Sequence, residues 1–217
     1  MMDELTLVQR IIVWALPVIF AITGHEAAHG WMAKKCGDNT AYMLGRLTLN
    51  PLKHIDPLGT VILPGILLMT GTGFLFGWAK PVPVDGRHFK RPIRDMAFVA
   101  AAGPGANLLM AIAWALIARL GVTINMEAIS MPLIYTGIAG ISINISLFLI
   151  NLLPIPPLDG SRIMTAFLPY RVAVQYNQLE RYGFIILLVL LYTEVLNAIL
   201  QYPLYIAHNL FFSLAGL

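Results

Sequence analysis

The stretch GHEAAHG, residues 24–30, places His25, Glu26 and His29 inside an apolar run that begins at Ile11. On a helix, residues four apart lie on one face, so the two imidazoles can bind one metal ion while Glu26 lies beside them. This is the arrangement found in zinc hydrolases. Ionisable residues inside a membrane-length apolar segment are costly and usually functional. The alternative is that these side chains line a proton path or a polar helix interface in a transporter.

The composition around this motif is that of an integral membrane protein. The chain has 217 residues, of which 58% are hydrophobic and only 12% are charged, and its mean hydropathy is +0.75. Soluble domains carry about 25% charged residues. The length allows one membrane domain, residues 1–217, with five or six spans. The net charge of +3 indicates basic loops and not a nucleic-acid surface.

The apolar segments predict an all-α fold, with short β-strand or hairpin segments near the active site. The expected spans are residues 8–35, 96–120, 131–151 and 185–200, with residues 202–217 as a further span or a half-buried tail. Prolines and glycines interrupt residues 58–76, which therefore either cross or re-enter the membrane. Alternating apolar and polar residues predict a strand or hairpin within residues 38–57. Three prolines, at positions 81, 83 and 92, force an extended course on residues 77–95.

The basic residues give an orientation if residues 58–76 cross the membrane. One side then holds Arg10, Lys80, Arg87, Lys90, Arg91, Arg94, Arg162, Arg171 and Arg181. The other side holds Lys34, Lys35, Arg46, Lys53 and Arg119. Because cytoplasmic loops carry the excess of Lys and Arg, this division predicts a cytoplasmic N-terminus in the plasma membrane.

A catalytic zinc ion needs a third protein ligand in addition to two imidazoles. The acids in apolar surroundings are Asp56, Asp159 and Glu194. Asp159 is favoured, because the prolines between 154 and 157 break the preceding helix and an unwound backbone can bring a carboxylate to membrane depth. The same position also suits an N-cap for a helix that begins near Gly160. From the residues alone, both interpretations stay open.

HEAAH, together with NLLPIPPLDG at residues 151–160, resembles the site-2 protease family of intramembrane zinc metalloproteases, in its compact form without PDZ or CBS domains. Three further segments are similar to the same family: LNPLKHIDPLGT, GWAKPVPVD and AAGPGAN. The resemblance implies one Zn²⁺ per chain, with Asp159 as the third ligand beside His25 and His29. It also implies that Asn151 lies on the substrate-facing side of the site.

The implied activity is that of a zinc-dependent endopeptidase that cuts within or near transmembrane segments. Glu26 is expected to act as the general base, and the Asn151 amide to donate to the oxyanion or to hold the substrate. A helix-terminal hydrogen bond to the backbone is the alternative for Asn151. The catalytic core is expected over residues 8–165, followed by C-terminal helices at 182–217. The expected partners are single-span membrane proteins or peptides and the lipid bilayer, with no nucleic acid.

Several alternatives remain open at this stage. The chain is either an active protease, an inactive protein on the same scaffold that binds transmembrane helices, or a small transporter. Residues 38–50 and 77–85 either present edge strands to an unwound substrate or pack over the site as loops. His54 is expected to make a structural hydrogen bond, and Asn107 an interhelical one.

Overall fold

The computed structural model describes residues 5–62 and 79–217, and most of these are helical. The long helices are α1 (Leu7–Cys36), α3 (Pro92–Thr123), α4 (Glu127–Leu152) and α8 (Val195–Ala215). The short helices are α2 (Thr40–Met43), α5 (Asp159–Thr165), α6 (Tyr170–Asn177) and α7 (Gly183–Tyr192). Turns of 3-10 helix cover Pro51–Lys53, Gly86–His88 and Gln178–Tyr182, and a π-helical turn covers Pro57–Ile62. Within the two described ranges, no residue belongs to a β-strand.

The described residues contain three helices that are long and apolar enough to cross a membrane, namely α1, α3 and α4. The helices between Tyr170 and Ala215 make a fourth candidate if the 76° bend before Val195 is counted within one span. The predicted all-helical membrane architecture is therefore confirmed. The five or six predicted spans become three or four in this part of the chain, and residues 63–76 of the predicted second segment lie outside the described residues.

Helix α1 has clear signals at both ends. The Thr6 hydroxyl accepts a hydrogen bond from the Gln9 backbone amide, and the Gln9 side chain accepts one from the Thr6 amide, so a capping box starts the helix. Gly37 ends it in the left-handed conformation, with φ 110°. The helix is thus 30 residues long, and its motif residues share one continuous element.

Helices α1 and α3 run antiparallel. The His29 ring faces the Val99 carbonyl, whereas the Asn107 amide donates to the Ala21 carbonyl, so numbering rises along one helix as it falls along the other. Consequently the C-terminal end of α1 and the N-terminal end of α3 lie on the same side of the molecule. There, Ala33 packs in one buried cluster with Phe89.

Helices α3 and α4 also run antiparallel and approach closely through small residues. A Cβ added at Gly137 would lie 2.6 Å from the Ala118 Cβ, which is the close contact that small residues allow between membrane helices. Helix α8 covers this pair from one side. The shared core consists of Ala111, Ala115, Ala118, Ile141, Ile145, Phe211 and Ala215.

The packing corrects the predicted division of the basic residues. Arg46 donates to the Lys80 carbonyl, and the Lys80 amide donates to the His54 carbonyl. Residues 34–54 and 80–94 therefore share one side of the molecule, although the division placed them on opposite sides. The count of basic residues on each side therefore no longer supports a cytoplasmic N-terminus.

The predicted strand or hairpin within residues 38–57 is wrong where the structure has helix α2 and the turn Pro51–Lys53. Asp38 explains the start of α2, because its carboxylate accepts hydrogen bonds from the backbone amide and the hydroxyl of Thr40. Such local side-chain bonds favour a turn over an extended strand. Residues 79–85 belong to neither a helix nor a strand. The extended course predicted as far as residue 95 is wrong from Pro92, where α3 begins, because proline is well suited to the first turn of a helix.

Candidate metal centre

Three side chains that are far apart in sequence meet beside α1. His25 Nε2 lies 3.0 Å from His29 Nε2, and Asp159 Oδ2 lies 3.3 Å from the first and 3.4 Å from the second. Tetrahedral zinc, with ligands at about 2.0–2.1 Å, separates its ligand atoms by about 3.3–3.4 Å. The triangle of donor atoms therefore has the dimensions of a zinc site.

The hydrogen-bonding state of these atoms also fits a cation. His25 Nδ1 lies 2.6 Å from Asn107 Oδ1, and His29 Nδ1 lies 2.7 Å from the Val99 carbonyl oxygen. Since both neighbours accept hydrogen bonds, each Nδ1 carries the proton and each Nε2 presents a lone pair. Asp159 Oδ2 is buried without a hydrogen-bond donor. Three acceptor atoms that face one another are costly unless a positive ion binds between them.

The position of Asp159 follows from the end of α4 and the start of α5. The carboxylate belongs to the first residue of α5, and Leu158 precedes it at the cap position without a side-chain capping bond. The N-cap alternative for Asp159 is therefore not what the structure has. A Cβ added at Gly160 would lie 2.3 Å from the Leu152 carbonyl oxygen, so the missing side chain lets α5 begin against the end of α4. This contact sets the carboxylate at the depth of the imidazoles.

The other two acids that were considered as third ligands have different surroundings. Asp56 Oδ1 accepts hydrogen bonds from the backbone amides of Leu58 and Gly59. Glu194, with φ 59°, precedes α8 at the bend after α7. Neither belongs to the group of His25, His29 and Asp159.

Helix α3 forms the back wall of the site. Val99, Gly103 and Asn107 are spaced by four residues, so they share the face that is turned to α1. A Cβ added at Gly103 would lie 2.4 Å from His29 Nε2 and 2.6 Å from His25 Cε1. Only glycine lets the backbone of α3 come this close. Gly103 was not among the predicted site residues, because its contact with the two rings depends on how α1 and α3 cross.

Glu26 lies next to the imidazoles and contacts the chain that follows the undescribed segment. Its Oε2 accepts a hydrogen bond of 2.7 Å from the Val82 amide. The two carbonyls before Val82, those of Lys80 and Pro81, accept hydrogen bonds from Arg46. These contacts favour the interpretation that residues 80–82 pack over the site as a loop, since their backbone groups are bonded within the chain.

His54 and Asn151 both bond to the backbone. His54 is buried, and its Nε2 lies 2.9 Å from the Thr48 carbonyl oxygen, which is the expected structural hydrogen bond. Asn151, in the last turn of α4, donates to the Leu147 carbonyl at 2.9 Å. The amide of Asn151 thus makes the helix-terminal bond that was the alternative to a substrate contact, and its substrate-facing role stays a prediction.

Asp38 connects the loop at residues 85–88 to the end of α1 by hydrogen bonds. The buried carboxylate accepts a 2.7 Å hydrogen bond from the Asp85 amide and lies 3.0 Å from His88 Nδ1. Burial raises the pKa of Asp38, but the hydrogen bonds from Thr40, Asp85 and His88 outweigh it and lower the pKa below its ordinary value. The ionised carboxylate therefore stabilises the connection between α1 and the loop before α3.

The fold and the site together define a membrane protein with a zinc-type metal centre, and the comparisons agree. The family model described as "Peptidase family M50" matches residues 120–193. "Putative zinc metalloprotease YwhC" of Bacillus subtilis is 43% identical over 83% of this chain and 80% of that protein. "Putative zinc metalloprotease Rip2" of Mycolicibacterium smegmatis is 32% identical over 80% of this chain, but the match spans only 64% of that protein's length. No solved structure matches the chain.

The chain belongs to peptidase family M50. The resemblance to intramembrane zinc metalloproteases is thereby confirmed, as are the prediction of a metalloprotease and that of zinc as its metal.

Proposed function

We propose that this protein is a zinc-dependent intramembrane endopeptidase that hydrolyses peptide bonds within or near transmembrane segments. One observation carries the proposal: the acceptor atoms of His25, His29 and Asp159 meet against α1, a helix of membrane length that also carries Glu26. Its substrates are single-span membrane proteins or peptides, cut either to release a regulatory factor or to clear signal-peptide remnants. The whole chain acts as one membrane-embedded domain.

Each side chain has a defined task in this chemistry. His25, His29 and Asp159 hold zinc, which supplies Lewis-acid activation of water and of the scissile carbonyl. The Val82 amide holds one oxygen of Glu26, and the carboxylate takes the proton of the attacking water and returns it to the leaving amine. Asn151 exchanges its bond to Leu147 for one to the substrate carbonyl, a type of donor whose loss typically costs about 10²–10³ in rate.

The depth of the site supports hydrolysis inside the bilayer. With a rise of about 1.5 Å per residue, His25 lies about 27 Å along the axis from the start of α1 at Leu7 and about 16 Å from its end at Cys36. A substrate helix must unwind before its peptide bonds are accessible at that depth. The bond to be cut therefore lies nearer to the side that holds the C-terminal end of α1.

We further propose that this side faces the cytoplasm and that the N-terminus lies outside the plasma membrane. The shared side carries most of the basic residues: Lys34, Lys35, Arg46, Lys53, Lys80, Arg87, Lys90, Arg91, Arg94 and Arg162. The opposite ends of α1 and α3 carry Arg10 and Arg119. Because basic residues accumulate in cytoplasmic loops, the antiparallel packing supports this orientation.

The test is cleavage of a model single-span substrate by the wild type and by Glu26→Gln, together with the zinc content of both proteins. We expect Glu26→Gln to keep its zinc and to lose activity by about 10²–10⁴, because the glutamine side chain has the shape of glutamate but cannot accept a proton. Glu127→Gln, at the exposed start of α4, is the matched control and should cleave normally. Unchanged cleavage by Glu26→Gln contradicts the proposal, and zinc-free wild type that moves an ion supports the transporter alternative.

A further inference from the structure

The buried amide side chains behind His25 form a chain of hydrogen bonds through three helices. Asn107 Oδ1 accepts from His25, while Asn107 Nδ2 donates to Asn144 Oδ1 at 3.0 Å and to the Ala21 carbonyl at 3.2 Å. Asn144 Nδ2 donates in turn to the Gly140 carbonyl at 2.9 Å. Both asparagines are completely buried.

The direction of this chain is fixed by the backbone. A carbonyl oxygen can only accept, so the Gly140 carbonyl requires the NH₂ group of Asn144 to point towards it. Asn144 then offers its oxygen to Asn107, and the Ala21 carbonyl calls for the same orientation of the Asn107 amide. Asn107 is left with its oxygen facing His25. The Nδ1 atom of His25 must donate, so the neutral ring, which is the form that binds a metal, has Nε2 without hydrogen.

We infer that Asn107 and Asn144 are positioning residues for the metal: together they hold His25 in the tautomer and ring orientation that presents Nε2 to zinc. Helix α4 thereby influences zinc binding through Asn144, which is not itself a ligand. The inference rests on the zinc site of the proposed function. Outer hydrogen bonds of this kind typically change metal affinity by about 10–100-fold when they are removed.

A purely structural role predicts a different behaviour. If the two asparagines only joined the helices, their replacement would lower the stability of the zinc-free protein and leave its intrinsic zinc affinity unchanged. If they position His25, zinc affinity falls, and the effect of Asn144 passes entirely through Asn107. Without the Asn107 side chain, a change at Asn144 should then have no further effect on zinc binding.

The experiment is a double-mutant cycle on the full chain in detergent, measured as the dissociation constant for zinc by competition with a chelator. The temperature is kept well below the unfolding midpoint of each zinc-free variant. We expect Asn107→Leu to weaken zinc binding by about 10–100-fold, Asn144→Leu to weaken it less, and the double variant to equal Asn107→Leu alone. Thr136→Val is the matched control, because it removes another side-chain hydrogen bond within α4 away from the site.

Three outcomes overturn the inference. They are an unchanged zinc affinity in Asn107→Leu, effects of the two replacements that multiply in the double variant, and a loss in Thr136→Val equal to that in Asn144→Leu. If Asn107→Leu does not fold, the comparison of Asn144→Leu with Thr136→Val decides the matter alone. If the wild type binds no zinc, both the proposed function and this inference are overturned. If the wild type binds zinc and the variants bind it with the same affinity, only the inference is overturned.

Discussion

Gly103 shows most directly how a single residue shapes the metal centre. It lies on the face of α3 that is turned to α1, between Val99 and Asn107, whose polar groups hold the two imidazoles. An added methyl group would overlap both rings. Two residues further on, Gly105 has no atom within 4 Å of an added Cβ. Of the two glycines in the AAGPGAN segment, Gly103 is therefore the one whose missing side chain the site requires.

We expect Gly103→Ala to weaken zinc binding by at least about 10-fold, because the methyl group must displace His25 or His29 from the position that the metal requires. Gly105→Ala is the matched control and should bind zinc as the wild type does, since alanine is a better helix former than glycine by about 1 kcal/mol. Zinc affinity measured by chelator competition separates the two variants. Equal affinities in both would show that the rings tolerate the added methyl.

The site residues differ in how far the sequence specified them. His25, Glu26 and His29 follow from one local spacing, because a single helical turn determines their relation. Asp159 required either the family resemblance or knowledge of how the end of α4 is broken. The partners of His25 and His29 on α3 depend on how two helices cross, and no local spacing contains that information. The interhelical bond predicted for Asn107 is confirmed, but its partner His25 was not foreseen.

The start of α5 against the end of α4 decides whether the Asp159 carboxylate reaches the two imidazoles. We expect Gly160→Ala to lower zinc affinity by about 10-fold or more, because the new methyl would meet the backbone of Leu152 and Leu153, which cannot move aside as a flexible side chain can. Gly86→Ala, whose Cβ would meet its neighbours at 3.6 Å or more, serves as a control. Zinc content after dialysis is a sufficient measurement, and retention of zinc by Gly160→Ala would contradict this account of α5.

The link between α1 and the loop before α3 should depend on pH through Asp38. Its folded pKa lies below the ordinary value of 3.8, so its contribution to stability is present at neutral pH and is lost as the pH falls through the folded pKa. We expect Asp38→Asn to lower the free energy of unfolding by about 1–3 kcal/mol at pH 7, and the difference from wild type to shrink at pH 3. Unfolding midpoints at both pH values provide the test, and a difference that does not change with pH would contradict it.

Local hydrogen bonds explain why the strand predicted within residues 38–57 does not form. Alternation of apolar and polar residues predicts a strand only when no local bond competes with the extended chain. Asp38 supplies such bonds to Thr40, and Asn50 similarly accepts from the Leu52 amide at the turn Pro51–Lys53. The long apolar helices were predicted more reliably, because an apolar run of about 20 residues is a stronger signal than a short alternating pattern.

For the molecule as a whole, antiparallel packing of α1 and α3 changes the expected orientation in the membrane. We expect Met126→Cys, in the exposed turn before α4, to react with a membrane-impermeant maleimide in intact cells when Cys36 is replaced by alanine. Lys90→Cys, also at an exposed position, should react only after the cells are permeabilised. If the Lys90 variant reacted in intact cells and the Met126 variant did not, the N-terminus would lie in the cytoplasm. Sequence counting could not settle this point, because the result depended on whether residues 58–76 cross the membrane.

The distance in sequence between the ligands has a consequence for biosynthesis. His25 and His29 are made early, whereas Asp159 follows only after α3 and α4 have been translated. Chains are synthesised from the N-terminus, and their early segments insert and fold first. A nascent chain that has reached only α4 holds two of the three proposed ligands and no complete site. With the proposed ligand set, the metal centre can therefore form only after most of the chain has left the ribosome.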